Sequence, residues 1–351
     1  MGNVRSYFFN RVGGQDSFNQ QKQLDNELLK NLSHEEINFL NHDWFLVVCG
    51  ATTIEALRWT KSMPRSQIST PNFHVCYMSA IVLHQGKVMF CGGMETDINR
   101  SIMSSIISFD GKHWKKEGDM LHKRGAPCAV SVAGLLYIFG GYNYENGYDL
   151  GCDKFVHQCE TFEDGKCTIY TTENPPRFHH SSSAVVVEDV VYIIGGNPVA
   201  PMDTRWASTP NSLCSSTVNC LKTKTNKWSD GPPLNHGRND FAVAKLRSKI
   251  YVFGGTNTRE HPGSAEFLDT SIDNPTWTLL PTAPLPLYCA SSCIASNEEF
   301  IVLGGGKQPY SFNTISLTWS KTIKKPNSEK VEQVESLCKC SGGSKIFGLG
   351  M

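Results

Sequence analysis

Residues 136–141 read LYIFGG, a short apolar run that ends in two glycines. Similar runs recur along the chain, and they read VMFCGG at 88–93, VYIIGG at 191–196, IYVFGG at 250–255 and FIVLGGG at 300–306. The first glycines lie at positions 92, 140, 195, 254 and 304, so the period is roughly 50 residues. A run repeated at so even a spacing predicts a repeat architecture rather than a single irregular core.

Each repeat has the plan of a four-stranded antiparallel sheet. An apolar strand precedes each Gly-Gly strand, as SSSAVVVED does at 181–189, and a short polar turn between them predicts a hairpin. A third strand follows, such as SIISFD ending at Asp110, and a fourth opens on a tryptophan. The tryptophans are Trp114, Trp228, Trp277 and Trp319. One repeat has no tryptophan and offers Ile169 or Tyr170 in its place.

A lone four-stranded sheet cannot shield both of its faces from water, but sheets stacked around a ring can. The pattern therefore predicts an all-β propeller. Partial copies at both ends, FLVVCGA at 45–51 and KIFGLGM at 345–351, predict one composite blade that joins N- and C-terminal strands. ESLCKC at 335–340 is expected to add a further C-terminal strand. Six four-stranded blades are expected, because a seventh would leave exposed sheet edges.

The chain resembles the kelch-repeat family. The YIFGG, YIIGG and YVFGG strands with Tyr137, Tyr192 and Tyr251 carry the resemblance, together with the period and the later tryptophans. It extends over residues 44–351 and implies a kelch-type β-propeller domain there. It also implies binding of partner proteins at one mouth of the central channel.

Residues 1–43 precede the repeats and are predicted to form a partly helical extension. Leu24, Leu28 and Leu32 recur every four residues, which is the spacing of one helix face, and Ser33 with Glu36 matches a capping box. Such a helix either packs on the propeller or docks a partner. The extension is too short for the BTB module of many kelch relatives and shows no F-box pattern, so a ubiquitin-ligase adaptor is not predicted.

Residues 1–6 read MGNVRS, which matches the acceptor motif for myristoylation of Gly2. A single acyl chain gives only weak, reversible membrane binding. No secretory signal is visible, and several of the 13 cysteines lie inside apolar runs, which favours a reducing compartment. The expected location is cytoplasmic, with peripheral membrane association if Gly2 is acylated.

The composition argues against several functions. Lysine plus arginine equal aspartate plus glutamate at 33 each, whereas nucleic-acid-binding proteins usually carry excess positive charge. No common catalytic motif is present, and neither His179-His180 nor Cys338 with Cys340 offers a complete metal site. The sequence therefore predicts a monomeric, non-enzymatic scaffold without a cofactor. The alternative is a propeller isomerase or other enzyme that acts on a small, carbohydrate-like ligand, as some proteins resembling kelch propellers do.

Three arginines stand at similar places in successive repeats. Arg124, Arg177 and Arg238 precede the first glycine by 16, 18 and 16 residues. With the neighbouring His179, Asn239 and Asp240, they are predicted to form a polar ring at one mouth of the channel. Guanidinium groups suit carboxylates, so the expected ligand is an acidic segment of a partner protein. The alternative is that each arginine hydrogen-bonds carbonyl groups between blades.

The connections after the Gly-Gly pairs are a second candidate surface. They cover residues 142–153, 197–213 and 256–264 and differ in length. Aromatic residues in them, namely Tyr142, Tyr144 and Trp206, are predicted anchors because tyrosine and tryptophan often dominate binding energy at interfaces. The sequence leaves open which face of the ring binds a partner.

Overall fold

The structure, a computed structural model, describes residues 44–49, 53–58, 65–67, 79–85, 87–94, 101–110, 113–143, 156–198, 214–255, 263–287, 290–296, 299–303, 310–321 and 344–349. These ranges form 24 strands in six four-stranded antiparallel sheets, which confirms the predicted six-bladed, all-β propeller. None of the described residues forms a helix long and apolar enough to cross a bilayer. The helix predicted before residue 44 lies outside the described residues.

The first three strands share one sheet, the composite blade, with the last strand. From the channel outward its order is β24 (Ser344–Leu349), β1 (Trp44–Cys49), β2 (Thr53–Arg58) and β3 (Arg65–Gln67). Strand β24 pairs antiparallel with β1, with Leu349 opposite Trp44. The two ends of the propeller are therefore joined in one sheet, as the partial Gly-Gly copies predicted. The strand predicted at 335–340 lies outside the described residues.

The other five blades each consist of four consecutive strands. Blade 1 contains β4 (Ala80–His84), β5 (Lys87–Cys91), β6 (Ser105–Phe109) and β7 (Trp114–Asp119). Blade 2 contains β8 (Cys128–Val132), β9 (Leu135–Phe139), β10 (Cys159–Glu163) and β11 (Lys166–Tyr170). Blade 3 contains β12 (Ser183–Val187), β13 (Val190–Ile194), β14 (Val218–Lys222) and β15 (Lys227–Asp230).

Blade 4 contains β16 (Ala242–Leu246), β17 (Lys249–Phe253), β18 (Ala265–Asp269) and β19 (Thr278–Leu280). Blade 5 contains β20 (Ser291–Ser296), β21 (Glu299–Leu303), β22 (Tyr310–Asn313) and β23 (Thr318–Lys321). The innermost strands lie side by side in the order β4, β8, β12, β16, β20 and β24. Apolar side chains between blades form the core, since the second strand of blades 1, 2 and 4 is buried along almost its whole length.

The two faces of the ring differ in how their strands are connected. On the turn face, where the innermost strands end, tight hairpins predominate. Ala133 and Gly134 have φ of 49° and 82°, as in the type I′ turns that suit twisted hairpins. The innermost strands begin on the opposite side of the ring, which is the loop face. The second strands end there, because Cys128 at the start of β8 pairs with Phe139 at the end of β9. The long connections that follow the second strands therefore leave from the loop face. The channel rim and the long connections therefore share one face.

The Gly-Gly pairs join neighbouring blades. In the four Gly-Gly pairs that the structure describes, the second glycine donates its N–H to a carbonyl of the next blade, for example Gly141 to His179 at 3.3 Å and Gly196 to Arg238 at 2.8 Å. A side chain on the first glycine would not fit, because a Cβ on Gly140 would lie 2.3 Å from the His179 oxygen. Glycine at these positions is therefore a requirement of blade packing.

The tryptophans of the outer strands also pack between blades. The indole N–H of Trp277 donates to the carbonyl of Pro232 in the preceding blade at 2.8 Å, and Trp319 donates to Pro281 in the same way. Trp228 packs against Phe178 with ring centroids 5.6 Å apart. These three tryptophans therefore stabilise the packing between neighbouring blades, because each offers a large apolar surface and an indole N–H that is hydrogen-bonded.

The repeat without a tryptophan uses a smaller residue. Cys167 pairs with Phe162 at the register position where Trp228 pairs with Leu221 in blade 3. The Cys167 side chain is buried, whereas Ile169 is 43% exposed. The position of the missing tryptophan is therefore filled by Cys167, and not by Ile169 or Tyr170.

Candidate protein-binding face

Backbone hydrogen bonds connect the blades around the channel rim on the loop face. Ser181 donates its N–H to the carbonyl of Ala126 at 3.0 Å, and Asp240 donates to Ser181 at 3.3 Å. Ala290 continues the series by donating to Asp240 at 2.9 Å. Ala126, Ser181 and Asp240 have φ between 48° and 54°, a left-handed backbone that side-chain-bearing residues seldom adopt. The same strained turn in three successive blades is sustained by the surrounding packing, which makes the rim a rigid base.

Arg238 lies beneath this rim and is completely buried. One guanidinium nitrogen donates to the carbonyls of Gly254 and Ser264 at 2.7 and 3.1 Å. The other donates to Glu266 Oε1 at 2.8 Å, and Glu266 is also completely buried. Arg238 thus ties the segment before β16 to the second and third strands of its own blade.

Arg124 makes the equivalent set of contacts in blade 2. It donates to the carbonyls of Gly140 and Gln158 at 2.8 and 2.6 Å and to Glu160 Oε1 at 2.8 Å. Burial of Glu160 raises the pKa of its carboxyl, but the charge and hydrogen bond of Arg124, with the N–H of Leu121, outweigh burial and hold that pKa below its ordinary value. Glu160 is therefore ionised at neutral pH, and the ion pair is intact.

Blade 3 has uncharged residues at the positions of the buried arginine and the buried glutamate. Its residue equivalent to Arg124 is His179, whose carbonyl accepts from Gly141 as the Arg124 carbonyl accepts from Gly93. Asn219 stands where the glutamate is found, since it pairs with Ile193 as Glu160 pairs with Ile138. Burial lowers the pKa of His179, so its ring is neutral at pH 7. A neutral histidine and asparagine thus replace the ion pair together.

These positions correct the predicted arginine ring. Arg124 and Arg238 are completely buried and hydrogen-bonded to carbonyls and carboxylates, so neither guanidinium can reach a partner. The alternative from the sequence was that each arginine hydrogen-bonds carbonyl groups between blades. The carbonyl contacts are present, but they lie inside the blade to which each arginine belongs. Arg177 lies two residues before the equivalent position, and it is exposed. The residue 16 positions before the first glycine of blade 3, Gly195, is His179. His179, and not Arg177, is therefore the equivalent of Arg124 and Arg238.

The remaining predicted residues have varied surroundings. Asn239 is only 6% exposed, and its Oδ1 has no hydrogen-bond partner among the described residues. Asp240 is half-buried in the rim. Tyr142 is not a surface anchor, because it is 1% exposed and exchanges two backbone hydrogen bonds with Gly125. Tyr144, Trp206 and Gly2 lie outside the described residues, so their binding and lipidation roles stay predictions.

The sequence reasoning missed the two buried glutamates. Glu160 and Glu266 are both the second residue of a third strand whose neighbours are mostly buried. A charge inside such a strand requires a partner of opposite sign. Pairing these glutamates with the arginines 36 and 28 residues earlier would have indicated internal ion pairs.

The described titratable side chains form no metal site, and two buried cysteines among them have raised pKa values. No group of three or more histidine, cysteine, aspartate or glutamate side chains among the described residues is arranged to hold a metal ion. Burial and the charge of Asp230 raise the pKa of Cys220 to about 12, and burial and the charge of Glu160 do the same for Cys167. Both thiols are therefore protonated and unreactive at neutral pH.

This burial predicts slow alkylation of the native chain. Because the thiolate is the reactive form, Cys167 and Cys220 should react with iodoacetamide at pH 8 roughly a hundredfold more slowly in buffer than in guanidinium chloride. Peptide mass spectrometry at successive times measures both rates in one digest. Labelling of native Cys220 at the unfolded rate would show that its blade opens to solvent.

Comparison with known proteins agrees with this geometry. A Kelch motif matches residues 176–235, which contain the whole of blade 3. Human Kelch domain-containing protein 3 is 26% identical over 275 residues, covering 72% of this chain and 68% of that protein. The chain therefore carries a Kelch motif and is similar to kelch-repeat proteins. Beta-scruin of Limulus polyphemus is another relative, 25% identical over 285 residues that cover 75% of this chain and 29% of beta-scruin.

A solved structure supports the fold of this chain. The structure of YjhT superposes with a TM-score of 0.57 at 13% sequence identity, covering 70% of this chain and 83% of YjhT. Identity this low bears on architecture alone. The similarity is consistent with the six-sheet arrangement described above.

Proposed function

We propose that this kelch-repeat chain is a non-enzymatic scaffold that captures a partner protein on its loop face. The observation that carries the proposal is the difference between the two faces. The turn face has short hairpins such as 133–134, 188–189 and 247–248, whereas the loop face has the long connections at 140–158 and 195–217. Variable loops on a rigid base are the usual arrangement of a recognition surface.

The buried ion pairs support this role by fixing the base. Arg124 and Arg238 each connect the segment that forms the rim to the carbonyl of a Gly-Gly pair. Residues at the rim are therefore positioned before a partner arrives, and a preorganised surface loses less entropy on binding.

Charge favours an acidic segment as the partner. Arg177 is exposed on the loop face, and it lies close enough to His179 to lower the pKa of that histidine. A guanidinium group at a rim can pair with a carboxylate while remaining partly solvated, so its contribution is mainly to association rate and specificity. Arg177 thus replaces the buried arginines as the residue expected to meet the partner.

The test compares charge reversal on the two faces. Proximity labelling with the intact chain identifies the partner, and affinity is then measured with the purified partner for Arg177→Glu and Lys224→Glu. Lys224 is the control because its side chain is 79% exposed on the turn face. We expect Arg177→Glu to weaken binding by about fivefold or more and Lys224→Glu to leave it unchanged. Equal affinities of both variants would exclude Arg177 from the interface, and a loss confined to Lys224→Glu would move binding to the turn face.

A further inference from the structure

The hairpin between β22 and β23 exposes apolar side chains on the turn face. Ile315 is 71% exposed and Leu317 is 40% exposed. The hairpin of the same length in blade 3, at 223–226, has Lys224 and Asn226 at these two positions. Residues 314–317, the apolar hairpin, therefore differ from the polar hairpin of blade 3.

The backbone makes Leu317 an unexpected choice for this turn. Its φ is 54°, and the equivalent residue in blade 3, Asn226, has φ of 56°. Asparagine and glycine accept this left-handed conformation readily, whereas leucine does not. The turn is already ordered by Asn313, whose Oδ1 accepts from the N–H of Ile315 and of Ser316 at 2.9 and 2.8 Å. The turn does not require a leucine at position 317. A contact made by the Leu317 side chain would explain why leucine is present there.

The chain before residue 44 reaches the ring close to this hairpin. Strand β1 holds the second position of the composite blade, and in every other blade the strand in that position begins on the turn face. The composite blade is the neighbour of blade 5, because β24 lies beside β20. Trp44 and the apolar hairpin are therefore on the same face of adjacent blades.

We propose that the apolar hairpin is the docking site for residues 24–40 of the same chain. Leu24, Leu28 and Leu32 recur at the spacing of one helix face, which would give that segment an apolar stripe able to cover Ile315 and Leu317. The twelve residues from Leu32 to Trp44 can span ~40 Å when extended. Four strands at the usual spacing are only ~15 Å wide, so the neighbouring blade is within reach.

Hydrogen exchange of the full chain tests the contact. The variant Leu24→Ser/Leu28→Ser/Leu32→Ser removes the stripe and leaves the propeller sequence intact. We expect the peptide covering 310–321 to exchange on the order of tenfold faster in this variant, and the peptide covering 219–230 to be unchanged. Unchanged exchange at 310–321 would overturn the proposal. Equal acceleration of both peptides would also overturn it, because the leucines would then stabilise the whole fold.

A photo-crosslinker identifies the occupant. Benzoylphenylalanine in place of Ile315 should form a crosslink within one chain to a peptide from residues 24–40, and the same group in place of Lys224 should not. Crosslinks that join two chains would show that a second copy covers the hairpin, and crosslinks to another protein would show an external partner. Either result would overturn the proposal.

Discussion

Replacing Arg238 by alanine is expected to lower the free energy of unfolding by about 3–5 kcal/mol. The Arg238–Glu266 pair is completely buried, so the substitution leaves the carboxylate without its charged partner. It also leaves the carbonyls of Gly254 and Ser264 without these donors. Denaturation by urea measures the loss, and an unchanged m-value shows that the native state has kept its compactness.

An exposed ion pair supplies the control. Lys116 and Asp119 are 2.6 Å apart, closer than Arg238 and Glu266, but their side chains are 54% and 49% exposed. Lys116→Ala should therefore cost less than about 1 kcal/mol. The double variant Arg238→Leu/Glu266→Leu should lose less stability than the sum of its single variants, because no uncompensated charge remains. A loss below about 1 kcal/mol for Arg238→Ala would contradict the buried pair.

Gly140→Ala is expected to cost about 3 kcal/mol or more, by strain and by a clash between blades. Gly140 has φ of 63°, and an added Cβ would lie 2.3 Å from the carbonyl oxygen of His179 in blade 3. Close-packed interiors relax little, so blade 3 would have to move away. That movement should also weaken the hydrogen bond from Gly141 to His179. Thermal and chemical denaturation measure the effect.

The variant Gly134→Ala is the control, because it introduces backbone strain without a clash. Gly134 also has positive φ, at 82°, but an added Cβ would have no atom within 4 Å. Gly134→Ala should therefore cost only about 1 kcal/mol, the usual consequence of placing alanine in a left-handed turn. Similar losses for the two variants would indicate that blades 2 and 3 are not in close contact at Gly140.

The predictions for Arg238→Ala and Gly140→Ala both concern residues that support the channel rim on the loop face. Arg238 and Gly140 belong to the network that joins the channel rim to the Gly-Gly pairs. Variants at these positions that remain folded are expected to bind a partner less well because the rim is displaced, without any direct contact. Arg177→Glu, in contrast, should change binding and leave stability almost unaffected.

The fold could be predicted from sequence because its signal is periodic. Five Gly-Gly strands at nearly equal intervals and four tryptophans define a sheet that needs neighbours on both faces. The partial copies at 45–51 and 345–351 predicted the composite blade, which the pairing of β24 with β1 confirms. Hydrophobic period and turn chemistry are local properties, so the linear sequence carries them.

The site was predicted less well because exposure is not local. Arg124, Arg177 and Arg238 look alike in sequence, yet two are completely buried and one is exposed. The difference depends on Glu160 and Glu266, which are distant along the chain and meet the arginines only in the folded blade. Tyr142 similarly became a core residue because its backbone pairs with Gly125.

The sequence alone therefore determined the repeat, the four-strand blade and the composite blade. These features follow from short-range patterns of apolar residues, glycine and turns, each of which is repeated. Only the tertiary structure decided which charges are internal, which residue fills the missing tryptophan position, and that the rim and the long connections share one face. Those features depend on contacts between segments far apart in the chain, where the energy of burying a charge is set by the partner that folding brings to it.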